Sequence, residues 1–277
     1  SAATDQFQAH DHYLVDELLT EEHKLIRDTA RKHVSKHLKP IIEEAFEKEL
    51  FHPEIIPGLA EIGAFGPMVP VEYGGMGLDQ ISYGLIMQEI ERVDSGLRSL
   101  CSVQGSLVMY PIWKYGSEEQ KMKWLPQLAA GKKIGCFGLT EPDHGSNPGG
   151  MVTTFVDKGD HYLLNGAKMW ISNSPLADVA VVWAKAENAE GRIHGLLVER
   201  GMPGFTTPTT HGKLSLRASP TGELVFDNVK VPKANLLPNK SGLGAPLGCL
   251  DSARYGIAWG TLGVAMECYD TALRYAK

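Results

Sequence analysis

Gly131-Lys132-Lys133-Ile134-Gly135-Cys136-Phe137-Gly138-Leu139-Thr140-Glu141-Pro142 is the stretch on which the fold turns. Before it, apolar residues recur at helical spacing; after it, the period falls to two. Upstream, Thr20 precedes Glu21 and Glu22, which sets a side-chain cap and favourable charges at a helix N-terminus. Ile26, Ala30, Val34 and Leu38 then repeat at i+4, and Pro40 ends the run. Pro53 opens a short helix that Gly63 closes, and Asp79 caps a third helix through Ile90. From Arg98 to Tyr115 the uniformly apolar pattern predicts a buried helix. Ser117-Glu118-Glu119-Gln120 is a capping box for the next one, which Gly131 ends.

Downstream, residues 151–156 and 161–164 flank a Lys158-Gly159-Asp160 turn. Residues 178–185, 193–200 and 223–229 are further strands, rich in valine and bounded by glycine or proline. Several short strands in about 100 residues predict a barrel or sandwich. Helical character returns near Ala245, with Ile257, Thr261, Val264, Cys268 and Leu273 marking one face. The class is therefore α+β. It comprises a helical domain over residues 1–133, a β domain over 134–235, and the first helix of a C-terminal helical bundle over 236–277. That last apolar face has no partner helix in the sequence, so a truncated bundle is the expectation.

Composition excludes several classes of function. The chain has 277 residues, and its 27 Lys and Arg against 33 Asp and Glu leave no basic face for nucleic acid. No apolar run reaches membrane-spanning length, which argues against membrane insertion. The N-terminus lacks the pattern of a signal peptide. Cys101, Cys136, Cys249 and Cys268 are scattered, with no pair or histidine spacing that suggests a metal site, so a reducing compartment is the simplest reading.

Three blocks carry more specific information. The first is Phe137-Gly138-Leu139-Thr140-Glu141-Pro142-Asp143-His144-Gly145-Ser146, leaving the first strand. The second, at another strand end, is Lys168-Met169-Trp170-Ile171-Ser172-Asn173. The third, on the last helix, is Asp251-Ser252-Ala253-Arg254-Tyr255-Gly256-Ile257-Ala258-Trp259-Gly260. In this order and spacing they resemble the acyl-CoA dehydrogenase family, from about residue 18 to the end. The resemblance implies FAD as cofactor, an acyl-CoA thioester as substrate and an electron-transfer flavoprotein as electron acceptor. It also implies a homotetramer in the bacterial cytoplasm or mitochondrial matrix.

By that resemblance Phe137, Gly138, Leu139, Thr140, Gly145, Ser146, Trp170, Ile171 and Ser172 bind the flavin. Thr140 faces the pyrimidine edge, Ser172 sits near N5 and Trp170 walls the ring. Donors at these positions suit a flavin, because charge develops there on reduction. Ser146, Leu247, Leu250, Asp251 and Arg254 are assigned to the thioester and its CoA arm. Ser172 keeps a hydroxyl where threonine is commoner, and Asn147 stands where aspartate is usual.

Glu91-Arg92-Val93-Asp94-Ser95-Gly96-Leu97-Arg98-Ser99, with Ser102-Val103-Gln104 and Asn173-Ser174-Pro175, is similar to the glutaryl-CoA dehydrogenase branch. That branch acts in lysine and tryptophan degradation, and its decarboxylating members release crotonyl-CoA and CO₂. The resemblance implies that Arg98 and Ser99 meet the distal carboxylate of the substrate, with Glu91 orienting Arg98. A negative charge at the bottom of an apolar pocket needs such a partner. The catalytic base is a glutamate at one of two family positions. One is occupied here by Ala253, which cannot act; the other lies beyond Lys277. Asp251 and Glu267 are not at matching positions, so no catalytic base is assigned within the chain.

Overall fold

Local capping builds the first half of the molecule, seen in a computed structural model that describes residues 11, 13–187 and 191–277. The Thr20 hydroxyl accepts the His23 N–H at 3.2 Å and starts α1 (Glu21–His37). Pro40 then falls in the first turn of a second helix, α2 (Lys39–Lys48), because a proline there forfeits no helical hydrogen bond. A 3₁₀ turn at Pro53–Ile55 leads into α3 (Ile56–Glu61), and Gly63 leaves it at φ 74°. Asp79 caps α4 (Gln80–Glu91) by accepting the Ser82 N–H at 2.8 Å.

The stretch expected to be one buried helix is three segments: α5 (Ser95–Ser102), a π-helical run Val103–Met109, and α6 (Tyr110–Tyr115). Gln104 in the π-helical run is tied to the elements around it. Its side-chain nitrogen donates to the carbonyls of Leu128 and Lys133, and its oxygen accepts the Gly135 N–H at 2.8 Å. The Ser117–Gln120 capping box starts α7 (Glu118–Ala129).

The second half is a sheet of β1 (Gly135–Gly138), β2 (Thr154–Asp157), β3 (His161–Ser172), β4 (Val179–Ala186), β5 (Ile193–Glu199), β6 (Phe205–Thr206), β7 (Thr221–Pro232) and β8 (Leu236–Ser241). Its order is β6-β7-β3-β2-β4-β5-β8, with β1 parallel to β4. The sheet thus runs past residue 235 through β8, which pairs with β5. Alternation along β4 fixes the two faces. Val179, Val181 and Trp183 join a core with Met109, Ile112, Trp124 and Leu128 from the helices. Ala180, Val182 and Ala184 join a second core with Phe155, Leu164, Leu224 and Phe226. A third core, around Leu59, Phe65, Met87 and Leu100, holds the helical half together.

The chain closes on α8 (Gly244–Ala276), which lies across α4. Its buried face differs from the expected apolar one. Ile257, Thr261 and Cys268 are exposed, whereas Ala253, Gly256, Gly260 and Gly263 are buried. A Cβ at Gly263 would stand 2.0 Å from the Gln88 carbonyl oxygen, and one at Gly256 would stand 2.2 Å from the Tyr83 hydroxyl. Close approach of α4, with its backbone at Gly263 and its side chains at Gly256 and Gly260, selects this face. Among the described residues no helix is long and apolar enough to cross a membrane.

Candidate active site

Two strand ends and one helix converge on a cleft of about 350 Å³. Phe137, Leu139 and Thr140 come from the exit of β1; Gly145, Ser146 and Pro148 come from the loop that follows. Trp170, Ile171 and Ser172 come from the end of β3, and Leu247, Leu250 and Arg254 from the start of α8. Val103 and Leu107, one turn apart on the π-helical run, complete the wall.

A buried ion pair holds the first two groups in place. Lys168 Nζ lies 2.8 Å from Glu141 Oε1 and also donates to the Leu139 carbonyl at 3.2 Å. Both side chains are at most 1% exposed. Glu141 further accepts the backbone N–H groups of Val152 and Thr153, at 2.7 and 3.0 Å. Burial pushes the Glu141 carboxyl up, but the bonds from Lys168, Thr153 and Val152 outweigh it and hold the group at about 2. Burial pulls Lys168 down to about 8 despite the attraction of Glu141. Both are therefore charged near neutral pH. Gly138 lets this lysine pass, since a Cβ there would meet Lys168 Cγ at 3.1 Å and Leu224 Cδ1 at 2.8 Å.

The β3 end is bent out of register. Its pairing with β7 shifts between Lys168 and Ile171, a bulge in which Trp170 adopts φ 60°. A bulky residue in the left-handed region is strained, and such strain concentrates at functional sites. The bulge leaves Trp170 57% exposed at the cleft. Asn173 follows at φ 69°, fully buried, and donates to the carbonyls of Leu100 and Gly135. The Met169 N–H donates to the Thr140 carbonyl at 2.9 Å and ties the two strand ends together.

Nearly all the residues expected to bind the flavin line this cleft; Gly138 supports it from below. The hydroxyls of Thr140, Ser146 and Ser172 take no hydrogen bond from the protein among the described residues. A Cβ added at Gly145 would meet nothing within 4 Å, so the backbone there is open to a close approach. Of the residues assigned to the thioester, Ser146, Leu247, Leu250 and Arg254 line the cleft. Asp251 instead faces a neighbouring groove with Tyr83, Tyr110, Trp113 and Tyr255, and its carboxylate accepts a bond from Arg254 at 2.7 Å. Ala253, at the alternative family position for the base, is buried and carries only a methyl group.

Glu91, Arg98 and Ser99 do not form walls of the cleft. Glu91 Oε2 accepts Arg98 Nε at 2.6 Å beneath α8, with the two side chains 4% and 10% exposed. Arg98 spends only Nε on this bond; its terminal nitrogens take no protein partner among the described residues. Ser99 lies one turn before Val103, on the helical face that continues to Leu107 and the cleft. Val103, Leu107, Pro148 and the Glu141–Lys168 pair are the residues that sequence reasoning missed. A lysine inside an otherwise apolar strand end was the available signal for the pair.

Comparison with known proteins finds similar chains. Residues 20–132 match the family description "Acyl-CoA dehydrogenase, N-terminal domain", and residues 136–229 match "Acyl-CoA dehydrogenase, middle domain". The short-chain specific acyl-CoA dehydrogenase of Rattus norvegicus is 38% identical over 263 residues, covering 94% of this chain and 64% of that protein. The glutaryl-CoA dehydrogenase of Desulfococcus multivorans is 39% identical over 267 residues, covering 94% and 68%. A glutaryl-CoA dehydrogenase from Mycobacterium smegmatis, solved in complex with FADH2, superposes with a TM-score of 0.92 at 49% identity, covering 95% of this chain and 67% of that one. The chain thus spans about two thirds of the length of the relatives it matches.

Proposed function

The chain belongs to the acyl-CoA dehydrogenase family, and from that premise we propose that it binds FAD and serves the α,β-dehydrogenation of an acyl-CoA thioester with a carboxylate at its far end, glutaryl-CoA. The observation that carries the substrate reading is the buried Glu91–Arg98 pair, in which the guanidinium keeps its terminal nitrogens for another acceptor. The donor set of the cleft suits the cofactor: three hydroxyls with no protein partner, an exposed indole face, and the open backbone at Gly145.

FAD, when bound, supplies a hydride acceptor for the substrate β-carbon. The residues of this chain do the rest of the positioning. Thr140 and Ser172 donate to the polar edge of the cofactor, and Trp170 and Ile171 wall its ring. Ser146, Leu247, Leu250 and Arg254 hold the thioester and the CoA arm. Val103 and Leu107 exclude water from the acyl chain, and Ser99 and Arg98 receive its distal carboxylate. The proton leaves the α-carbon for a carboxylate that this reading places beyond Lys277, because Ala253 cannot take it.

A monocarboxylic chain would offer the Arg98 terminal nitrogens no acceptor where a distal carboxylate would, so this reading expects discrimination against it. The same reading takes an electron-transfer flavoprotein as the electron acceptor, crotonyl-CoA and CO₂ as products, and a homotetramer as the assembly. Because this reading places the base beyond Lys277, the test reads binding rather than reduction: the protein is reconstituted with FAD and titrated with glutaryl-CoA and butyryl-CoA by calorimetry. Binding of glutaryl-CoA at far lower concentration than butyryl-CoA supports the reading. Preference for butyryl-CoA would assign a short-chain neutral substrate instead.

A further inference from the structure

We propose that Gly260 is a specificity-determining positioning residue, whose missing side chain seats Glu91 against α8 and so turns Arg98 toward the distal carboxylate of the substrate. The proposal rests on the Arg98 reading above. Its ground is steric. A Cβ at Gly260 would lie 1.7 Å from Glu91 Oε2, 2.8 Å from Glu91 Cδ and 3.3 Å from Arg98 Nε. The carboxylate therefore occupies the volume that any side chain at position 260 would take.

The same close packing against α4 continues on either side of Gly260. One turn on, α8 touches the Gln88 backbone at Gly263; one turn before, it touches the Tyr83 hydroxyl at Gly256. In the same interface, Trp259 of α8 packs on Gly84 of α4, where a Cβ would meet its ring at 2.5 Å. Glu91 is the mobile partner, because the contact at Gly260 is with the end of its side chain rather than with backbone.

Glu91 in turn sets Arg98. It binds Nε, the inner nitrogen of the guanidinium, at 2.6 Å, and Arg98 as a whole is 8% exposed. While Nε is engaged, the fork of terminal nitrogens is left for a planar carboxylate, the geometry in which arginine binds most strongly. A Glu91 displaced from α8 either releases Nε or takes the terminal nitrogens itself. In both cases the offered fork is lost, although the helix gains from the replacement, since alanine favours a helix over glycine.

The experiment compares variants of the whole flavin-loaded protein, reduced beforehand so that no turnover follows. Calorimetry gives the ratio of affinities for glutaryl-CoA and butyryl-CoA, and thermal unfolding gives the midpoint. Gly260→Ala lowers the ratio by about tenfold, the loss of one charge-assisted bond. Glu91→Asp added to Gly260→Ala shortens the carboxylate and restores part of the ratio. Gly263→Ala meets the backbone and lowers the midpoint while keeping the ratio. The proposal is overturned if Gly260→Ala keeps the wild-type ratio, if Gly263→Ala lowers the ratio as much, or if neither Gly260→Ala nor its Glu91→Asp double variant folds. Arg98→Met separates the two levels. If it too keeps the ratio, the Arg98 clamp itself is wrong; if it abolishes the ratio while Gly260→Ala does not, only the role of Gly260 fails.

Discussion

Two buried carboxylate–cation pairs, one behind the strand ends of the cleft and one beneath α8, are built to opposite ends. On the sheet side, Glu141 and Lys168 are closed. The carboxylate is saturated by Lys168 and two backbone N–H groups, and the ammonium also holds the Leu139 carbonyl. On the helix side, Glu91 holds one nitrogen of Arg98 and leaves the terminal ones without a protein acceptor. A buried pair whose partners all come from the protein fixes a loop. One with donors to spare can take a further acceptor such as a planar carboxylate.

The comparison can be broken in steps. Lys168→Met leaves Glu141 as an unpaired charge in the interior, and stability should fall by about 3–5 kcal/mol, read from chemical denaturation. An effect below about 1 kcal/mol, typical of an exposed pair, would show that the pair is not closed. Next comes Arg98. Arg98→Met should weaken glutaryl-CoA binding by about a hundredfold, as expected when one side of a desolvated charge contact is truncated. Calorimetry checks this, and equal loss of butyryl-CoA binding would count against a recognition role.

The third step is pH. The Glu141 carboxyl is held at about 2 against an ordinary 4.5, so its folded-state pKa is depressed. Its contribution is present in full above the unfolded value and is lost as pH falls from 4.5 through 2. Unfolding free energy measured across that window should therefore drop with pH, and Glu141→Gln should remove up to about 1.4 kcal/mol per pH unit of the slope. An unaltered slope would place the titration elsewhere. The smallest step is Thr140→Val, which removes one hydroxyl donor and should weaken FAD binding by about 1 kcal/mol, measured by fluorescence titration.

Much of this architecture is legible in the sequence where the cause is local. Thr20, Asp79 and Ser117 announce helices because a cap bonds to residues three positions on. The cleft residues of β1 and β3 are legible because they sit in the motifs themselves. Causes that act through space are not. Nothing near Gln104 announces its contacts, since its partners lie at Leu128, Lys133 and Gly135. The buried face of α8 is invisible to a hydrophobicity pattern because glycines form it, and the apolar residues chosen by period, such as Ile257, lie outside. Lys168 and Glu141 stand 27 residues apart, and only the meeting of β1 with β3 makes them a pair.

The central claim is that the open pair reads the substrate. Glu91→Gln combined with Arg98→Met removes both charges without stranding either, so a change in recognition is separated from loss of the fold. The deciding measurement is the ratio of glutaryl-CoA to butyryl-CoA affinity in that double variant against the wild type. The account predicts a strong preference for glutaryl-CoA in the wild type that collapses to near equality in the variant. A preference that survives the loss of both side chains, or that is absent from the wild type, would contradict it.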